Sequence, residues 1–78
     1  MSTPTIKRRE TIFLTEDDVH DIGIDAIVSV IEDELANPRR FGEFTVVVDS
    51  ISIQIGNNPQ IPYQNKQDFT ERCRSLFH

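Results

Sequence analysis

Tryptophan is absent from this sequence, cysteine and tyrosine occur once each, and there are only three glycines. A single cysteine, Cys73, excludes an internal disulfide. Secreted domains of this size usually depend on such staples, so a reducing, cytoplasmic setting is expected. No apolar run approaches the ~20 residues of a membrane span. Lys7-Arg8-Arg9 is followed by polar and acidic residues, not by the apolar core of a secretion signal. The chain has no phosphate-cradling glycine loop, no cysteine pair and no His-x-x-x-His spacing. No cofactor, no metal and no catalytic residue is therefore assigned, and a non-enzymatic protein is expected.

Seventy-eight residues with 37% apolar content allow one small core and thin stability margins. A core this thin favours dimerisation, which hides further apolar surface. Thirteen acids against eight bases leave a net charge of −5. That balance disfavours direct nucleic-acid binding, which needs clustered Lys and Arg. The distribution is more telling, because eight of the acids lie between Glu16 and Glu34 and no Lys or Arg lies between Thr15 and Pro38. The bases gather at Lys7-Arg8-Arg9, at Arg39-Arg40, and at Lys66, Arg72 and Arg74.

Residues 1–9 read as a loosely held arm and residues 10–78 as a single domain. Glu10 to Leu14 is rich in β-branched and aromatic residues and predicts a strand. Thr15 with Asp18 three residues later makes a capping box, and acids in the first turn suit the helix dipole. The periodicity predicts one helix from Glu16 to about Ala36, with Val19, Ile22, Ala26, Ile27 and Val30 on its core face. Gly23 inside it is expected to mark close packing against a strand. Asn37-Pro38 ends the helix. From Phe44 to Ile55 the apolar phase switches from even to odd positions across Asp49-Ser50. A two-residue hairpin loop there pairs Val46 with Ile53 and keeps both apolar sets on one face. Asn65 caps a last helix whose apolar stripe is Phe69, Cys73, Leu76 and Phe77. The expected fold is α+β: a β-α-β-β-α domain, with a three-stranded sheet and two helices packed on one face.

Asp18, Asp21, Asp25 and Glu32 follow helical spacing along one face, and like charges so placed repel one another weakly. They are the candidate partner-binding residues. The function expected is a small protein-binding module, an inhibitor or regulator that sets this face on a basic site of another protein, a nucleic-acid-binding site being one kind that would fit. The acids would then mimic phosphates. The bland alternative is a solvated face that aids solubility. A second reading is a structural subunit that forms a homodimer through a sheet edge. His20, beside Asp21 and one turn from Glu16, reads as a solvent-exposed residue and Cys73 as a packed thiol. Ile61-Pro62-Tyr63 reads as cover for the sheet rather than a docking hot spot.

Overall fold

The computed structural model describes residues 4–77. Along the chain run β1 (Thr5–Leu14), α1 (Glu16–Ile22), α2 (Ile24–Ala36), β2 (Arg39–Phe41), β3 (Phe44–Ile55), β4 (Ile61–Pro62) and α3 (Lys66–Leu76). The class is α+β, and the described residues form a sheet of four strands and three helices rather than three and two. β3 is the centre of the sheet. β1 lies parallel to it on one side, while β2 and β4 pair antiparallel with different stretches of its other side.

The expected hairpin at Asp49-Ser50 does not form. Residues 44–55 make one continuous strand, and Val46 pairs with Ile6 and Arg39 instead of Ile53. The phase switch has another cause: Arg8 pairs with Val48 but Arg9 with Ser50, so Asp49 is an extra residue, a β-bulge. One inserted residue reverses strand parity as a two-residue turn would. It leaves Phe44, Val46 and Val48 on the same face as Ile51, Ile53 and Ile55. The real hairpin joins β2 to β3 through Gly42-Glu43, where Phe41 pairs with Phe44. Gly42 has φ +67°, and among the described residues only glycines have positive φ, so Glu43 does not, the pattern of a type II′ turn.

The strand starts earlier than expected too. Thr5–Arg9, read as arm, pair with Thr45–Ser50 as the first half of β1. Residues 1–3 of that arm lie outside the described residues.

The long helix is broken. Thr15 caps α1 with both capping-box bonds in place, but Gly23 takes φ +92° and ψ 146°, which ends α1 and starts α2. Positive φ favours glycine because other residues clash there. A Cβ on Gly23 would meet nothing within 4 Å, so the glycine serves the bend and not a close strand contact. The bend also rotates the buried face. Val19, Ile27, Val28 and Ile31 enter the core, whereas Ile22 and Val30 are 51% and 59% exposed and Ala26 is exposed. The expected core trio of Ile22, Ala26 and Val30 is therefore on the surface.

The core joins those four α1 and α2 residues to Ile51, Ile53 and Ile55 of β3, Ile61 of β4, and Phe69 and Cys73 of α3. All three helices thus lie over one face of the sheet. Asn65 caps α3, its side-chain oxygen accepting from the Asp68 amide at 2.8 Å. Helix cover stops partway along β3. Ile51, Ile53 and Ile55 are fully buried, while Phe44 to Val48 are not. The molecule is accordingly long, 52 × 20 × 19 Å. Its radius of gyration of 14.5 Å exceeds the ~11.5 Å of a compact chain of this length. No helix among the described residues is long and apolar enough to cross a membrane.

Candidate functional site

The bend at Gly23 splits the acidic stripe between two helices. Asp18 is a capping residue: its Oδ2 accepts from the Thr15 amide at 3.0 Å, and its own amide donates to Thr15 Oγ1 at 3.0 Å. Asp25 stands 3.0 Å from Lys66 Nζ. Glu32 accepts a hydrogen bond of 2.9 Å from the Tyr63 hydroxyl. Asp21 is exposed and has no partner among the described residues. Three of the four stripe residues thus have internal bonds, so the row is less free for a partner than its sequence spacing implies. The cation missing between Thr15 and Pro38 arrives from α3 as Lys66. Sequence spacing along one helix could not reveal it.

Tyr63 is half-buried against Phe69, with ring centroids 6.0 Å apart. Its amide donates to the Ile51 carbonyl at 2.9 Å and extends the β4 ladder. Burial, followed by the hydrogen bond and negative charge of Glu32, pushes its hydroxyl pKa up to about 12. Burial likewise raises the Cys73 thiol, which is fully enclosed. Raised and enclosed, that thiol is a packing group rather than a nucleophile. Among the described residues, no three His, Cys, Asp or Glu side chains converge on a metal site.

An open groove of about 960 Å³ runs between the α1–α2 bend and α3. Ile22, Ile24 and Phe77 supply its apolar lining, with Asp25, Lys66 and Arg74 among the charged groups. It is open to solvent, with no buried polar group among the described residues directed into it.

A second feature lies at the other end of the molecule. β1 alternates, and Ile12 and Leu14 pack on the core, so even-numbered residues of β1 face the helix layer. Ile6 and Arg8 share that face, beside their partners Val46 and Val48. Across β3, Arg39 pairs with Val46 and Phe41 with Phe44, placing both on the same face. Phe41 and Phe44 stack with centroids 5.5 Å apart. No helix among the described residues covers this end. Ile6 is 48% exposed and Phe41 53%. Arg8 and Arg39 flank the apolar group, held only by long contacts to Glu10 at 3.8 Å and Glu34 at 3.5 Å. Lys7, Arg9 and Arg40 stand on the same strands without a carboxylate partner among the described residues. The sheet extension is an apolar platform with a basic border.

Among the described residues, no strand pairs with the outer edge of the ten-residue β1, since β1 ends the strand order. Three consecutive cations on it are the kind of charge that discourages indiscriminate edge pairing. Compared with protein-family models, curated proteins and solved structures, the chain matches none of them.

Proposed function

We propose that this chain is a non-enzymatic protein-binding module of a reducing, cytoplasmic setting, and that it docks through the uncovered extension formed by β2 and the first halves of β1 and β3. The carrying observation is that Ile6, Phe41 and Phe44 stay exposed on the same sheet face that buries Ile51, Ile53 and Ile55 elsewhere. A small domain gains by covering such a patch, and a patch rimmed by charge marks an interaction surface. This reading belongs with assembly through the sheet. The reading as an inhibitor or regulator that sets its acids on a basic partner keeps one supporting observation, the row of exposed acids on α1.

The test is the paired substitution Phe41→Ser and Phe44→Ser in the full chain. The circular dichroism spectrum should be retained, because both residues lie outside the core cluster. Capture of partners on an immobilised bait, and self-association of the pure protein, should both fall sharply. If both survive, the extension is not the docking surface. If reversal of the α1 acids removes capture instead, the inhibitor reading takes its place.

A further inference from the structure

Charge is separated along the long axis. Residues 4–10 and 37–49, which form the extension and its approach, hold five bases and three acids, a net of +2. Residues 15–25, at the opposite end of β1, hold five acids and no Lys or Arg, and Lys66 and Arg74 of α3 beside them bring the net of that end to −3. Six residues of extended strand, roughly 20 Å, separate Arg8 from Leu14, where α1 is about to begin. The screening length at physiological salt is about 8 Å, so the two ends cannot neutralise each other within one molecule. A second molecule lying antiparallel can bring them together.

We propose that the occupant of the extension is a second copy of this chain, in a closed antiparallel pair. The acidic α1 end of each copy meets the basic extension of the other. This inference rests on the reading of the extension as a docking surface and adds the identity of what docks there. The same arrangement answers the apolar exposure on the helix-bearing face, though not that of Phe13, 73% exposed on the opposite face of β1. Ile6, Phe41 and Phe44 lack helix cover, while Ile22 and Val30 protrude from the helix layer without a sheet to cover them. A two-fold pair offers each group the other, twice, because the contact is self-complementary. Attraction between the opposed ends would steer the encounter and fix its direction, with the apolar residues supplying the contact area.

Light scattering on a sizing column tests this. Wild-type protein should run at twice the 9.0 kDa chain mass in low salt and shift toward the monomer in high salt. Two charge-reversed variants follow, Arg8→Glu with Arg39→Glu, and Asp17→Lys with Asp21→Lys. Each alone opposes like charges at both contacts and should be monomeric with an unchanged circular dichroism spectrum. An equimolar mixture of the two restores opposite signs at both contacts and should recover the dimer. Dimers of either variant alone, or a mixture that stays monomeric, overturn the proposal. So does growth of the wild type into species larger than a dimer, which signals head-to-tail assembly. A wild type that is monomeric at low salt, yet loses a captured heterologous partner with Phe41→Ser and Phe44→Ser, overturns this inference and leaves the docking surface standing.

Discussion

Tyr63 gives the folded chain a titration of its own, because it is the single tyrosine. Its pKa is raised from 10.0 to about 12, first by burial and then by Glu32. The fold therefore favours the protonated phenol. That stability is fully present below pH 10 and is lost as pH rises through about 12. Titration of the tyrosinate absorbance should show a midpoint near the raised value in native protein and near the ordinary one in urea. Glu32→Gln should bring the native midpoint only part of the way down, since burial is the leading cause. A native midpoint at the ordinary value would mean that the Tyr63–Glu32 bond does not persist. At core positions the contrast is sharper. Ile31 is fully buried, and Ile31→Ala should cost about 2–5 kcal/mol in urea unfolding. Ile22→Asp places a charge on a half-exposed side chain and should cost about 1 kcal/mol or less. A larger loss at Ile22 than at Ile31 would reverse the face assignment.

Single residues set the boundaries of the elements. Gly23→Ala keeps open space around its new methyl but inherits φ +92°, and should destabilise by about 1–3 kcal/mol. A neutral result in thermal melts would show that the α1–α2 bend relaxes into one helix. What the sequence made legible was local chemistry. The Thr15–Asp18 box, the Asn65 cap and the Asn37-Pro38 stop each stand where residue types alone place them. Parity was legible as well: the even and odd apolar sets around Asp49 do share a face. The device that unites them was not, because an extra residue and a tight turn shift strand parity identically. The same ambiguity misplaced Ile22 and Val30, since helical spacing fixes a face only while the helix is unbroken, and Gly23 breaks it. The acidic row was legible as charge, but its partners were not. Lys66 and Tyr63 come from distant segments, so no window along α1 and α2 contains them. The extension was least visible, because exposure of Phe41 and Phe44 depends on where the helices stop. It has a dynamic consequence. In high salt, amides of β2 and of residues 44–48 should exchange with solvent faster than those of residues 51–55, which lie under the helices. Equal protection along β3 would mean that the extension is covered or stiffened independently of association.

For the molecule as a whole, length and charge separation act together on stability. A domain of this size has a net stability of roughly 4–12 kcal/mol, within which a few exposed aromatic and branched side chains are a substantial fraction. If a second copy covers Ile6, Phe41 and Phe44, binding is linked to folding, since only the native chain presents the extension and α1 together. The thermal midpoint must then rise with protein concentration, and the rise must be greatest at low salt, where attraction between the +2 and −3 ends is least screened. At high salt the curve against concentration should flatten, because the steering charges are screened and only the apolar seam remains. Phe41→Ser with Phe44→Ser should flatten it at every salt concentration. Arg8→Glu with Arg39→Glu should do so chiefly at low salt. These two patterns separate the apolar from the electrostatic contribution within one set of melts. A wild-type midpoint independent of concentration at low salt would leave the elongated shape without a role in assembly. The stability of the chain would then rest on its single helix-covered half.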